Sequence, residues 1–327
     1  MKKHLFLILK IVISLTIFST VIYFFDIRII DAITKIEKYY FIVLAMLIPV
    51  IVNPIISNNR WKLFLSVQGI KEKFFTLLKI SYVSIFLGIL LPATSGSDAI
   101  RIYYIEKRNK HISGAGTASV FMERLLGFII LTFLGLIGSF LSTLFYGLDN
   151  YFFIVILILH LLLLLVYFIS KNKKLYLIIS SFFEIFNKKK SNKLIKFINS
   201  SYYDIINFKF NNTLAISVLL IMLLQLCSIV SVFLIFKSFN INIPFYYHLA
   251  FVPIIQIISI IPISISGFGL RESGFIYFYG LLGIDNGISL MVSLIYYAIF
   301  ILVPAFIGMF IYITDTSYKK VKYEIQK

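Results

Sequence analysis

Two stretches decide the fold when read side by side: Leu91-Pro92-Ala93-Thr94-Ser95-Gly96-Ser97-Asp98-Ala99-Ile100-Arg101 and Ile261-Pro262-Ile263-Ser264-Ile265-Ser266-Gly267-Phe268-Gly269-Leu270-Arg271-Glu272. Each closes an apolar run, 74–92 or 247–266, with a proline and a Ser/Gly-rich turn, and in each the next arginine falls nine residues after the proline. Non-helical backbone in hydrocarbon leaves N–H and C=O groups unpaired, and it persists only against protein or a water-filled cavity. Two breaks therefore predict a polar cavity. Helices restarting after them would point free N–H groups into it, which suits an anion.

The composition around these stretches requires a membrane. Of 327 residues, 60% are hydrophobic and only 14% charged, and the mean hydropathy is +0.96, so lipid must solvate most of the chain. Runs of about 20 apolar residues, the length of a spanning helix, occur at 5–25, 39–57, 117–146, 151–169, 213–237 and 287–314, and are read as six full crossings. The first follows Met1-Lys2-Lys3 but is long, carries Lys10 and lacks a small-residue cleavage site, so it reads as a retained helix.

Lysine and arginine set the orientation. With a cytoplasmic N-terminus, and each broken segment returning to the side it left, 23 of the 31 basic residues fall inside, as the positive-inside bias demands. They include Arg60, Lys62, Arg101, Lys107, Lys319 and the nine lysines from Lys171 to Lys209. Making 74–92 a full crossing would put that lysine-rich loop on the wrong face. The expected fold is an all-α polytopic membrane protein forming a single transmembrane domain over 1–327. It divides into inverted halves, 1–146 and 151–327, each of two spans, a re-entrant broken helix pair and a span. Such repeats recur in transporters. The 170–212 loop carries apolar residues flanked by lysines and is expected to lie on the anionic cytoplasmic leaflet. Both termini are placed in the cytoplasm and the protein in the cytoplasmic (inner) membrane. The net charge of +17 is assigned to that leaflet, not to nucleic acid.

The charged residues inside apolar segments carry the functional reading, because each costs a few kcal/mol at depth and is ordinarily paired and internal. Arg101 opens the limb after the first break, behind Asp98. Glu123 and Arg124 lie inside the next span, about 100° apart around the helix, which predicts separate partners; Arg101 or Arg271 is expected for Glu123. Arg271 and Glu272 follow the second break. Arg101, Arg124 and Arg271 are the candidate headgroup-binding residues. Asp98, Glu123 and Glu272 are the candidates for balancing charge or carrying a proton, and Pro92, Gly96, Pro262, Gly267 and Gly269 form the helix breaks. Trp61 reads as an interfacial anchor, and Lys79 and Lys10 as snorkelling cations. His4, His111, His160 and His248 are scattered, with no metal-ligand spacing, and no nucleophile–base pairing or phosphate loop is seen, so neither cofactor nor enzymatic activity is expected.

Arg60-Trp61 with Gly69, Leu91-Pro92 through Asp98-x-x-Arg101, Ser119-x-x-x-Glu123-Arg124-Leu125, and Pro262-x-Ser264-x-x-Gly267-x-Gly269-x-Arg271-Glu272 together resemble the lysylphosphatidylglycerol synthase transmembrane-region family. The resemblance spans essentially the whole chain and implies a lipid-handling, flippase-like role. It implies no lipid aminoacylation, since the soluble aminoacyl-transferase domain of two-part members is not seen. The chain departs from the pattern at Tyr296-Tyr297, where many members carry an arginine. The leading expectation is translocation of an anionic lipid, either a phospholipid or a polyprenyl-phosphate-linked glycolipid. The alternatives are a membrane-embedded transferase and an accessory partner that recruits a glycosyltransferase through the 171–209 loop; a second copy of the chain is a further candidate partner.

Overall fold

A computed structural model describes residues 16, 18–20, 22–23, 29–89, 96–109, 114–146, 149–172, 205, 212–261, 264, 267–315 and 318. Among these residues there is no strand. Helix α1, Tyr39–Leu47, passes through one turn of π-helix, Ile48–Val52, into α2, Asn53–Val67. Then follow α3, Phe74–Ile89, and α4, Gly96–Arg108, and the long α5, Ala115–Tyr146. The second half runs through α6, Asn150–Lys171, α7, Asn212–Ser238, α8, Phe245–Ile260, and α9, Leu270–Gly280. It closes with α10, Asn286–Tyr297, a second π-helical turn, Ala298–Leu302, and α11, Val303–Thr314.

Five stretches are long and apolar enough to cross a membrane: Tyr39–Val67, Ala115–Phe145, Asn150–Lys171, Asn212–Ser238 and Asn286–Thr314. These are five of the six crossings expected from sequence. The other, 5–25, falls mostly outside the described residues, as do Lys10, Pro92, Pro262 and most of the 171–209 loop. The chain is thus an all-α, multi-pass membrane protein. Its two remaining apolar helices, α3 and α8, have 16 residues each. At 1.5 Å per residue they reach roughly 24 Å, short of the ~30 Å of bilayer hydrocarbon.

The packing of these short helices is reciprocal. α3 lies against α11, and α8 lies against α5, so each half's short helix rests on the last long helix of the other half. Both contacts are made at a glycine. A Cβ at Gly138 would strike the Leu249–Ala250 backbone, and one at Gly308 would strike the Tyr82 carbonyl. Without a hydrophobic driving force between helices in lipid, such small-residue contacts let backbones approach and gain dispersion energy. α7 packs on α1 and α2 between the halves. Among the described residues the two larger apolar cores lie around Phe236, Phe251, Phe275 and Tyr279 and, smaller, around Trp61, Leu65, Ile80 and Ile105.

Candidate functional site

Three helices bring their charges to one place beside the smaller core. α2 contributes Arg60 and Trp61, α4 contributes Asp98 and Arg101, and α5 contributes Glu123 and Arg124. Glu123 is the hub. Its Oε1 accepts from Arg60 Nη2 at 2.5 Å, while Arg101 Nη1 and Nη2 donate to its two carboxylate oxygens at 3.0 Å each. Asp98 receives a second fork, from Arg124 Nε at 2.7 Å and Nη2 at 3.0 Å, and lies 3.7 Å from Arg101. Bidentate guanidinium–carboxylate pairs are among the strongest hydrogen-bonded contacts available to side chains, which is how this cluster survives away from water.

The partners expected from sequence are present in part. Glu123 pairs with Arg101, one of the two partners expected for it, and not with Arg271. Arg60, expected as a cytoplasmic charge and quoted with Trp61 in the family pattern, has its guanidinium buried against Glu123. The sequence signal for it was its place in Arg60-Trp61, one to two turns beyond Asn53 and Ser57 on the same helix face. Trp61 corrects its reading as an interfacial anchor, since it is 0% exposed. Its Nε1 donates to Ser119 Oγ at 3.4 Å, and its ring carries the Arg101 guanidinium 4.1 Å from the centroid. Lys79, expected to snorkel, is half exposed and its Nζ pairs with Asp315, just past the end of α11, at 3.2 Å.

The charge balance leaves a surplus. Three guanidinium groups face two carboxylates, so the cluster is one positive charge in excess. The buried Nε–H groups of both Arg60 and Arg101 also find no acceptor. A buried charged donor left unpaired costs about 1–3 kcal/mol or more, and an arriving anion would supply the missing acceptor.

The second break builds a different site. Gly267 and Gly269 adopt φ of +75° and +89°, backbone that only glycine holds without strain, and turn the chain into α9. Glu272 accepts the Gly269 N–H at 2.6 Å, satisfying one orphan donor at the helix start. Arg271 pairs with Glu272, its sequence neighbour, and donates from Nε to Ser293 Oγ at 3.1 Å; Ser293 in turn donates to Glu272 at 3.2 Å. The Arg271 guanidinium stands 4.4 Å from the centroid of Tyr297. Tyr297 thus serves as the platform for Arg271 that Trp61 provides for Arg101. Tyr296 instead joins Ser228 at 2.6 Å and Gln256. The Arg271–Glu272 pair is neutral overall, and among the described residues no ion pair joins it to the Glu123 cluster. Gly96 begins α4 and is buried. Among the described residues no group of His, Cys, Asp and Glu is arranged to hold a metal ion.

Apolar helices that carry buried arginine–carboxylate clusters beside helix breaks define a class: a multi-pass membrane protein with ionised groups held inside it. The family described as the lysylphosphatidylglycerol synthase TM region matches residues 7–308, and the chain belongs to it. A UPF0104 membrane protein of Methanocaldococcus jannaschii is 28% identical over 106 residues, which are 32% of this chain and 31% of that protein. The match thus spans about a third of the length of that curated relative. No solved structure matches the chain significantly.

Proposed function

We propose that this protein carries an anionic lipid, a phospholipid or a polyprenyl-phosphate-linked glycolipid, across the cytoplasmic membrane without altering it chemically. One observation carries the reading: the Arg60–Arg101–Glu123 cluster holds surplus positive charge and two buried guanidinium N–H groups without acceptors. An uncompensated charge at membrane depth costs ~2.5–3.5 kcal/mol, so a resident anion would relieve the site while the site relieves the anion. The lipid headgroup would cross along these groups as its acyl chains stay in hydrocarbon.

The inverted-repeat topology belongs to the same proposal. It is supported by the two 16-residue helices and by their reciprocal glycine contacts at Gly138 and Gly308. Arg271 and Glu272 would then form a second, neutral station on the route, with Glu272 or Glu123 able to take a proton. The lysine distribution supports cytoplasmic termini and a 171–209 loop lying on the anionic leaflet.

Headgroup scrambling in reconstituted vesicles tests the reading. Arg101→Gln should slow phosphatidylglycerol scrambling roughly tenfold or more, the loss expected for a charge-assisted hydrogen bond of ~1.5–3 kcal/mol. Phosphatidylcholine exchange should stay at the level of protein-free vesicles. Equal phosphatidylglycerol rates in wild type and variant would overturn the proposal.

A further inference from the structure

Helix α7 packs against α5, α8 and α10. One of its faces meets lipid, where Ile216, Leu219 and Leu223 are exposed. The other turns inward, where Ile221, Ser228, Val232 and Phe236 are buried. Gln225, near the middle of the helix, belongs by helical spacing to the inward face, yet it is only partly buried. Its Nε2 donates to the Gly127 carbonyl of α5 at 3.3 Å. Among the described residues of other elements, a Cβ added at Gly127 would meet only that amide, at 3.8 Å. A partly accessible side chain on an interior face, opposite a glycine with room beside it, marks a gap between α5 and α7.

The polar groups continue from there. Ser228, one turn after Gln225 on α7, shares a hydrogen bond of 2.6 Å with the Tyr296 hydroxyl of α10 and accepts from Gln256 Nε2 of α8 at 2.7 Å. Gln256 stands one turn before the end of α8, where the second break begins. Tyr296 adjoins Tyr297, the platform for Arg271. At the other end, Gly127 follows Arg124 by one turn of α5, and the Arg124 side chain is 49% exposed while it forks onto Asp98. Neutral polar groups thus run from Arg124 to Arg271, an interval that no ion pair bridges among the described residues.

This track has unused capacity. Among the described residues nothing donates to the side-chain oxygen of Gln225 or Gln256, and neither oxygen is fully buried. An amide oxygen kept from any donor costs about 1–3 kcal/mol, while an interhelical hydrogen bond in a membrane returns about 0.6 kcal/mol on average. Holding helices together is therefore a poor reason to keep two open amides. A polar passenger supplies the missing donors. Neutrality suits a passage as well: an arginine here would hold a phosphate back and a carboxylate would repel it. A carboxamide offers N–H groups to phosphate oxygens and its oxygen to the hydroxyl or amine of the same headgroup.

We propose that Gln225, Ser228, Gln256 and Tyr296 line the passage by which the headgroup moves between Arg124 and Arg271, with the two glutamines as its positioning residues. The inference rests on the lipid-carrier reading above and adds the neutral groups that carry the headgroup between its charged sites.

Phosphatidylglycerol scrambling in reconstituted vesicles, read beside the stabilisation of each variant by the same lipid in detergent, separates passage from binding. Gln225→Met keeps the length of the side chain and loses the amide. It should slow scrambling about tenfold, the loss of one hydrogen bond to a charged group, while phosphatidylglycerol stabilises it as it does the wild type. Gln225→Asn should recover part of the rate, and Gln256→Met should slow scrambling similarly; either Met variant carries the rate test if the other fails to fold. Independently of transport, Gln225→Cys in a Cys227→Ser background should react with a charged, water-soluble methanethiosulfonate. Phosphatidylglycerol should slow that labelling, and phosphatidylcholine should not. A folded protein that takes no label has dry packing at this position, which overturns the proposal. Wild-type scrambling in both Met variants overturns it too, as does a rate loss matched by an equal loss of phosphatidylglycerol stabilisation. A slowed Arg101→Gln beside unslowed glutamine variants removes the passage and leaves the carrier reading standing. A wild type that moves no phosphatidylglycerol removes the carrier reading, and the passage with it.

Discussion

Glu123→Gln is the most informative single change to this protein. The substitution keeps the shape of the hub and removes its charge. In the native cluster Glu123 receives one bond from Arg60 and two from Arg101. Neutralised, it leaves three guanidinium groups facing Asp98 alone, so the buried surplus rises from one positive charge to two. Removing one partner of a buried ion pair typically costs about 3–5 kcal/mol, because the remaining charge is stranded. We expect the variant to lose stability of that order when denatured in a neutral detergent. If the site is built for an anion, the loss should shrink when phosphatidylglycerol is added, since a ligand binding only the folded state stabilises it by RT ln(1 + [L]/Kd). That rescue should exceed the stabilisation of the wild type by the same lipid, and phosphatidylcholine should give none. Titrating each lipid against the unfolding midpoint of both proteins reads the difference directly. A variant as stable as the wild type would refute the hub role of Glu123. Equal stabilisation of both proteins by phosphatidylglycerol would refute the surplus-charge argument.

Three further outcomes follow from the packing and the sequence. Trp61→Leu removes the ring under Arg101, and should weaken anionic-lipid binding by about 0.5–2 kcal/mol with helical circular dichroism unchanged. Gly308→Leu drives a side chain into the Tyr82 carbonyl and should destabilise the fold by about 1–3 kcal/mol or more, measured by denaturant titration; Gly138→Leu should do the same at the reciprocal contact. Replacing Lys188, Lys189 and Lys190 with Ala should reduce binding of the protein to anionic vesicles by about 1 kcal/mol per lysine, an effect abolished at high salt in a co-sedimentation assay.

The membrane class and the five described crossings were legible from the chain alone because they depend on local composition: an apolar run long enough to span hydrocarbon needs no partner to declare itself. The turn before α9 was legible for the same reason, since glycine admits the positive φ seen at Gly267 and Gly269 wherever it stands. The interior position of Glu123 followed from its depth and its short side chain. Which arginine answers it did not, because that depends on how three helices distant in the sequence come together. Arg60 looked like one more cytoplasmic charge until α2 was seen beside α5. Trp61 likewise has the same sequence signature whether it floats at an interface or lies beneath a guanidinium, and only the approach of Arg101 from α4 distinguishes the two. Composition and backbone chemistry thus determined that this chain lives in a bilayer with interrupted helices. Tertiary structure alone decided which charges meet, because Coulomb and hydrogen-bond energies act over a few ångströms of space rather than along the chain.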